Sequence, residues 1–316
     1  MTTKNDMRNA NRIILAQLKT AVESGVKENS IWIDKSSNLY LIEEQADAYL
    51  GVMENTSYTM SFHNPLLDVI KENCANILSG INDNIDFIDL GPGYPDKTFP
   101  FLQYCNDNQI ICRYIPVDIN KKFLKISCAA VAKYNLSLTP LNCTFIEVPK
   151  FLNVHNCNDF KNQRIIQIGL TFMNIRPYEI LNLLFEIARE GDVIMVATEL
   201  INNENYQSLV DSYLNKNVEE LNMLLLDVLR LSRNFFKYFA RFYSGRVELG
   251  LESLEDVEVN DEIVLEKGMK IITAISCRYT LENFISLIKE YDKNAVFFTD
   301  KQRKVCLTKI TKNKMS

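Results

Sequence analysis

The fold is decided by the stretch Asp86-Phe-Ile-Asp-Leu-Gly-Pro-Gly93, a short apolar run that ends in two glycines. The run predicts a buried strand, because an apolar segment of this length bounded by turn residues is typical of a parallel sheet. Gly91 and Gly93 let the backbone turn sharply and lie against a ligand with no side chain between. The stretch from Asp89 to Gly93 therefore predicts a ligand-binding turn at the end of a strand.

Apolar segments and helix-length segments alternate after this turn. Further buried strands are predicted at Arg113–Asp118, Cys143–Glu147, Arg164–Gly169 and Val193–Thr198. Strands that alternate with helices indicate a mainly parallel sheet covered on both faces, which is the α/β architecture of Rossmann-like domains. Two late segments, Ala295–Phe298 and Val305–Ile310, predict a terminal antiparallel hairpin.

The alternation is interrupted between about residues 200 and 272. A long helix is predicted over Val218–Tyr243, followed by strands around Arg246–Glu252 and Ile263–Ile272. The interruption indicates that a second, smaller α+β lobe is inserted into the sheet domain.

Three parts of the chain are expected from this pattern. They are a sheet domain of residues 59–198 and 274–316, an inserted lobe of residues 199–273, and a helical segment of residues 1–58 that contributes to the lobe.

The composition restricts the partners of the protein. A formal net charge of −5 and an isoelectric point near 5.3 argue against affinity for nucleic acid or anionic membranes, since that affinity comes from clustered lysine and arginine. No run of about eighteen apolar residues occurs, and Met1–Asn11 lacks the apolar segment of a signal peptide. The eight cysteines form no C-x-x-C pair and are expected to be reduced. We expect a cytoplasmic protein without nucleic-acid or membrane partners, and the oligomeric state is left open.

Residues for hydrolytic or metal chemistry are sparse. The two histidines, His63 and His155, offer little for a hydrolytic triad or a metal cluster, and both are interpreted as surface or helix-capping residues. Ser276 lies in no G-x-S-x-G elbow, which favours a substrate-contacting or core role over a nucleophilic one. No metal is expected.

The glycine turn is expected to bind a cofactor that has no phosphate. It lacks the G-K-[ST] ending of a phosphate-binding loop, and Asp96 stands at the third glycine of the dinucleotide fingerprint. A cofactor with adenosine and an amino acid fits better, with Asp118, at the end of the second strand, as acceptor for both ribose hydroxyls. Glu147 either faces the adenine or is a solvated carboxylate. The alternative is that the glycines make only a tight connection and Asp118 caps the helix that begins near Asn120.

Several stretches, taken in order, resemble the histidine-specific N-alpha-methyltransferases of ergothioneine biosynthesis and their relatives that act on other amino acids. The glycine turn with Lys97-Thr98 resembles the family pattern G-x-G-x-x-x-K-T, and Tyr114-Ile-Pro-Val-Asp118 resembles Y-x-P-V-D. Gly169-Leu-Thr-Phe-Met-Asn174 resembles G-S-T-I-G-N. Arg246-Val-Glu-Leu-Gly-Leu and Thr273-Ala-Ile-Ser-Cys resemble R-I-E-M-H-L and T-E-x-S-x-K. The resemblance covers residues 58–316, whereas the first 57 residues lack the family's F-Y-D-x-x-G-S stretch.

The resemblance implies a class I methyltransferase fold that binds S-adenosyl-L-methionine and an amino-acid substrate. The cofactor residues that it implies, together with those read from the turn, are Asp89, Gly91, Gly93, Lys97, Asp118 and Glu147. The implied substrate residues are Tyr58, Asn174, Tyr213, Leu249, Ala274 and Ser276. No catalytic residue is expected beyond those that position the substrate, because methyl transfer is an in-line displacement that depends chiefly on alignment.

Two departures from the family concern the side chain of the substrate. Ala274 stands where the family has a glutamate that, with the serine, binds imidazole, and Leu249 stands where it has a methionine. The pocket is therefore expected to be larger and more apolar, so that histidine is a poor substrate. An aromatic amino acid is the first expectation and a large aliphatic one the second, with N-methylation of its alpha-amino group in secondary metabolism.

Alternatives remain open for these residues. One alternative is that Ala274 packs in the core and that another acid, such as Glu248 or Glu252, supplies the missing carboxylate. A second is that Asn174 caps the helix ahead of Pro177. A third is that Tyr58 and Tyr213 are ordinary half-buried aromatics. The alternative for the whole protein is a non-catalytic cofactor-binding or scaffolding member of the same fold.

Overall fold

The computed structural model describes residues 2–54, 63–81, 84–134, 136–154, 162–201 and 206–313. Within these ranges the α-helices are α1 (Lys4–Glu23), α2 (Glu43–Met53), α3 (Asn64–Ile77), α4 (Phe99–Asp107), α5 (Lys121–Val131), α6 (Val148–Val154), α7 (Pro177–Ile187), α8 (Tyr206–Tyr213), α9 (Lys216–Leu229) and α10 (Leu281–Lys289). No helix in the described ranges is both long and apolar enough to cross a membrane.

The strands in the same ranges are β1 (Ser30–Trp32), β2 (Asn84–Leu90), β3 (Ile111–Val117), β4 (Ser137–Leu138), β5 (Gln163–Ile168), β6 (Val193–Glu199), β7 (Phe236–Tyr243), β8 (Arg246–Ser253), β9 (Val257–Asn260), β10 (Ile263–Leu265), β11 (Lys270–Cys277), β12 (Val296–Thr299) and β13 (Val305–Thr311).

The chain forms two compact units. The smaller unit contains Met1–Tyr58 and Asn203–Cys277, and the larger contains Thr59–Asn202 and Arg278–Ser316. The sequence predicts that the inserted lobe ends at residue 273, whereas the smaller unit extends to Cys277. The reason is that β11 continues to Cys277 and, apart from a register shift at Thr273, stays paired with β8 up to its end.

The larger unit is built on a seven-stranded sheet with the order β12-β13-β6-β5-β2-β3-β4. Strands β2 to β6 are parallel, whereas β13 is antiparallel both to β6 and to β12. The predicted Rossmann-like sheet with a terminal antiparallel hairpin is confirmed. Strand β2 lies between β3 and β5, so its carboxyl end is the point at which the strand order reverses, where ligands bind in open α/β sheets.

The predicted third strand, Cys143–Glu147, is wrong. Phe145–Glu147 forms a short 3-10 helix, and the Glu147 carboxylate accepts hydrogen bonds from the amide and hydroxyl of Thr144 at 2.8 and 2.7 Å. This reciprocal capping satisfies backbone donors locally, so the segment does not need a strand partner. The two-residue strand β4 pairs with β3 instead.

The smaller unit contains a four-stranded sheet with the order β1-β11-β8-β7 and a separate β9-β10 hairpin. Strand β1 runs parallel to β11, and the other pairs are antiparallel. Its core joins apolar side chains of α1 and α9 to the sheet, including Leu18, Leu226 and Leu251.

The predicted helix Val218–Tyr243 is also wrong, because α9 ends at Leu229 and β7 begins at Phe236. Arg230 takes a left-handed conformation, with φ 62°, and closes the helix by donating its amide to the carbonyls of Asp227 and Leu226. The residues of β7 are rich in aromatic side chains, which suit a strand better than a helix.

Asp89 binds the elements around the glycine turn to one another. Its buried carboxylate accepts hydrogen bonds from the hydroxyls of Thr98 and Tyr114 at 2.6 and 2.9 Å. It also accepts one from the Gln167 side-chain amide at 3.2 Å. Burial raises the pKa of Asp89, although the three donors oppose that effect. One side chain of β2 is thereby joined to β3, to β5 and to the start of α4.

We predict that Asp89→Ala destabilises the protein. Tyr114 keeps Ser127 and Gln167 keeps Thr98 as a second partner. The Thr98 hydroxyl loses its acceptor, and a buried unsatisfied group costs about 1 to 3 kcal/mol, so the free energy of unfolding should fall by about that amount. Urea denaturation at pH 7 measures this quantity. Asp68→Ala, at an exposed position of α3, is the control and should stay within about 0.5 kcal/mol of wild type. A similarly small change for Asp89→Ala would contradict the prediction.

Candidate functional site

The backbone turns tightly where β2 ends. Gly91 and Gly93 have φ values of 68° and 53°, in the left-handed region that favours glycine. A Cβ atom at Gly91 would lie 3.1 Å from the hydroxyl oxygen of Thr171 and 3.4 Å from the ring of Phe145. Position 91 therefore has neither the conformation nor the space for a side chain, and the backbone itself forms the surface of the turn.

Asp118 follows the last residue of β3 and is buried. Within the described residues, the one donor to its carboxylate is the amide of Asn120, at 2.8 Å. Burial raises the pKa of Asp118 to about 7, and the charge of Asp89 adds to this effect while the Asn120 amide opposes it. A carboxylate accepts more than one hydrogen bond, so Asp118 retains the capacity to accept donors from a ligand.

The alternative that Asp118 caps the next helix does not hold. The N-cap residue of α5 is Asn120, whose side-chain oxygen accepts the Lys122 amide at 2.9 Å. The capping function is therefore carried out two residues later in the chain.

Lys97 belongs to a cluster with His63 and Asp96. Its ammonium nitrogen lies 3.2 Å from Nδ1 of His63 and 3.4 Å from Oδ1 of Asp96. The Nε2 atom of His63 hydrogen-bonds the Asp96 carboxylate. Burial favours a higher pKa for Asp96, but the His63 hydrogen bond and the charge of Lys97 outweigh it and lower that pKa.

The interpretation of His63 as a surface or capping residue is wrong. His63 stands at the N-cap position of α3, but its side chain is buried and makes no capping hydrogen bond. It binds residues more than thirty positions away, which no local sequence pattern indicates. His155 lies outside the described residues.

Asn174 ends the 3-10 turn Leu170–Asn174 that follows β5 and is half-buried. The N-cap position of α7 is occupied by Arg176, so Asn174 does not cap that helix. The preceding residue, Met173, accepts the backbone amide of Glu199 on its sulfur at 3.3 Å. Glu199 in turn forms a buried ion pair with Arg278. The turn that carries Asn174 is therefore held by its contact with a residue that is itself paired.

Glu147 is not at the end of a strand, and its carboxylate is bound by Thr144 in the capping arrangement described above. These hydrogen bonds lower the pKa of Glu147. The side chain is exposed, which matches the solvated alternative for this residue.

Four of the expected substrate residues lie together in the smaller unit. The hydroxyl of Tyr213 donates to the hydroxyl oxygen of Ser276 at 2.9 Å. Leu249 and Ala274 are direct partners in the β8-β11 pairing, and both belong to the buried core of the smaller unit, as the alternative for Ala274 predicted. Ala274 and Ser276 are two positions apart in β11, so their side chains point to the same face of the sheet. Tyr58, which the same resemblance assigns to the substrate, lies outside the described residues.

Neither Glu248 nor Glu252 stands in for the carboxylate that position 274 lacks. Because Leu249 faces Ala274, both glutamates of β8 point to the opposite face of the sheet. The buried carboxylate of Glu248 binds the guanidinium groups of Arg241 and Arg246 at 2.8 and 3.0 Å.

Comparison with known proteins gives the family that the motifs indicate. The model of the family described as histidine-specific methyltransferase, SAM-dependent, matches residues 66–312. The histidine N-alpha-methyltransferase of Mycolicibacterium smegmatis is 22% identical over 255 residues, which cover 70% of this chain and 73% of that protein.

Two solved structures are similar at 11% identity. A putative methyltransferase from Thermobifida fusca YX has a TM-score of 0.44, with 92% of this chain and 97% of that chain covered. The CurJ carbon methyltransferase has a TM-score of 0.46, with 97% of this chain and 67% of that chain covered. Because the family model spans well over half of the sequence, the chain belongs to the family of histidine-specific, S-adenosylmethionine-dependent methyltransferases, and S-adenosylmethionine is its cofactor.

Proposed function

We propose that the protein methylates the alpha-amino group of a free amino acid or a close derivative, in a secondary-metabolite pathway. We propose further that the amino acid is aromatic or large and apolar, not histidine. One observation carries this choice: the position at which the family has a carboxylate is Ala274, which faces Leu249 on a sheet face that neither glutamate of β8 shares.

The residues at the carboxyl edge of the larger sheet fit the cofactor. The turn at Gly91 has no room for a side chain, so a ligand can approach its backbone. Asp118 is buried with capacity to accept the two ribose hydroxyls. The ammonium of Lys97 is suited to the carboxylate of the cofactor's amino-acid end.

S-adenosylmethionine supplies an electrophilic methyl group on a sulfonium, so the protein needs to align a neutral amine with it and needs no nucleophile of its own. Asn174 carries both a donor and acceptors and would bind the amino and carboxylate groups of the substrate. Its half-buried position on the turn after β5 supports this role.

The pocket for the side chain would be formed in the smaller unit by Leu249, Ala274 and the hydrogen-bonded hydroxyls of Tyr213 and Ser276. These two hydroxyls already satisfy one another in part. None of the four side chains is a carboxylate that an apolar substrate would leave unpaired. Such a pocket selects mainly by size and shape, whereas one built around a carboxylate rejects substrates that lack a matching donor.

Removal of the Asp118 carboxylate should weaken cofactor binding. Asp118→Ala deletes a charged acceptor worth about 1.5 to 3 kcal/mol, so the dissociation constant for S-adenosylhomocysteine should rise at least about tenfold. Isothermal titration calorimetry at pH 8 measures it. An unchanged constant in a folded variant would remove Asp118 from the site.

The same binding should depend on pH. Since the pKa of Asp118 is raised to about 7, its carboxyl is largely protonated at pH 6 and ionised at pH 8. The ionised form is the stronger acceptor, so affinity should rise about tenfold from pH 6 to pH 8. Asp118→Asn has no titrating group at this position, and its profile should be nearly flat. A wild-type profile that matches that of the variant would contradict this assignment.

Asn174→Ala tests the substrate end of the site. The Michaelis constant for the amino acid should rise roughly tenfold or more through loss of hydrogen bonds to charged groups, while the affinity for S-adenosylhomocysteine stays within about threefold. Separate titrations of cofactor and substrate distinguish the two effects. Collapse of cofactor binding with unchanged substrate binding would show that the turn after β5 serves the cofactor.

Substrate identity is tested by competition between histidine and tryptophan, tyrosine, phenylalanine and leucine, with detection of the methylated products by mass. The wild type should prefer an aromatic amino acid. Ala274→Glu should gain activity on histidine, whereas the isosteric Ala274→Gln, which lacks the charge, should gain much less. Efficient methylation of histidine by the wild type would refute the proposed specificity.

A further inference from the structure

His63, Asp96 and Lys97 form a closed triangle in the larger unit. His63 precedes α3, whereas Asp96 and Lys97 belong to the 3-10 turn Pro95–Lys97 that follows the glycine turn. Each of the three side chains contacts the other two. Their side chains are 8%, 20% and 17% exposed, so the triangle is largely shielded from water.

The donors and acceptors of the three groups determine the tautomer of a neutral imidazole. A lysine ammonium carries three donors and no acceptor, so Nδ1 of His63, at 3.2 Å, must accept. A neutral imidazole then has its proton on Nε2, which donates to the Asp96 carboxylate. Both ring nitrogens are thus used within the triangle, and His63 has none left for a substrate.

Asp96 holds the same lysine at two points. Its Oδ1 atom accepts the backbone amide of Lys97 at 2.8 Å and lies 3.4 Å from the ammonium nitrogen. The lysine is therefore restrained both at its backbone and at the tip of its side chain. Among the described residues, His63 and Asp96 are the partners of the ammonium, which leaves one of its three donors for a ligand.

The restraint determines where the charge of Lys97 lies. A Cβ atom at Gly169, the residue after β5, would be 3.7 Å from Cε of Lys97. The end of the lysine side chain is thus next to the carboxyl end of β5, on the edge of the sheet that carries the glycine turn. A free lysine samples many rotamers, and ordering it on binding costs affinity, whereas a lysine that is already fixed avoids this cost.

We propose that His63 and Asp96 are positioning residues that hold the Lys97 ammonium in place for the carboxylate of the cofactor. The motif at the glycine turn includes Lys97 and Thr98, but none of the motifs that carry the family resemblance includes His63. The inference rests on the proposed function of Lys97 as a cofactor residue. It adds that the affinity contributed by Lys97 depends on an imidazole supplied from the start of α3.

Two conservative variants separate the two contacts of His63. The amide oxygen of an asparagine can occupy the position of Nδ1, so His63→Asn keeps an acceptor for Lys97. The amide nitrogen of a glutamine can occupy the position of Nε2, so His63→Gln keeps the donor to Asp96 but loses that acceptor. Titration with S-adenosylhomocysteine should give roughly five- to tenfold weaker binding for His63→Gln and a change within about threefold for His63→Asn. Lys71→Met, at an exposed position of α3, is the control and should bind as wild type does.

A double-mutant cycle distinguishes positioning from a general structural effect. Lys97→Met should weaken binding, and His63→Gln added to Lys97→Met should change it less than about twofold further, because the group that His63 positions is gone. If His63→Gln does not fold, as judged by circular dichroism and thermal melting, Asp96→Asn takes its place. Alone, Asp96→Asn should weaken binding roughly five- to tenfold. Added to Lys97→Met, it should change binding less than about twofold further.

The possible results separate this inference from the proposed function. Weaker binding by Lys97→Met with normal binding by His63→Gln and Asp96→Asn overturns the inference and leaves the cofactor site intact. Fully additive losses overturn it as well, since they show that His63 acts independently of Lys97. Normal binding by both Lys97→Met and Asp118→Ala overturns the proposed cofactor site and, with it, this inference.

Discussion

The rest of the larger unit depends on the burial of one carboxylate, that of Asp89, among donors from the surrounding elements. Because burial of an unpartnered charge is costly, the strands and turn that supply its three hydrogen bonds must meet in one arrangement. That arrangement fixes the position of the end of β2, which Gly91 directly follows. The glycine turn, the first residue after β3 and the turn after β5 are thereby brought to the same edge of the sheet.

The candidate site contains charged groups whose positions are individually restrained by hydrogen bonds. Asp118 is buried beside the Asn120 amide, and the turn before Asn174 rests on the contact between Met173 and Glu199. Lys97 is held by the triangle with His63 and Asp96. Pre-organisation of this kind suits methyl transfer, in which the protein contributes alignment more than chemical participation.

The fold class could be predicted from the sequence because β2, β3, β5, β6 and the terminal hairpin each have a distinct apolar pattern. The segment Cys143–Glu147 has the same apolar character, but the Thr144–Glu147 cap is a side-chain interaction that outweighs it. The end of α9 could not be predicted, because Arg230 takes a left-handed conformation without the glycine that usually signals it.

The residues of the candidate site likewise include some that could be predicted from the sequence and some that could not. Gly91, Gly93 and Asp118 stand next to strand ends and could be predicted from that position, whereas Lys97 could be predicted only from the family motif that it resembles. His63 could not, because its partners are distant in the chain and the residues around it carry no motif. The orientation of Glu248 away from Ala274 follows from strand register, which depends on the pairing of β8 with β11 and cannot be read from either segment alone.

The order of strands in the smaller unit also constrains when its sheet can form during synthesis of the chain. Strand β1, at residues 30–32, pairs with residues 270–272 of β11, so the sheet cannot be completed until residues 270–272 have left the ribosome. Helices α1 and α2 precede β11 by more than 200 residues and keep apolar side chains unpacked until it is made, while β2 to β6 of the larger unit follow one another along the chain and can associate early.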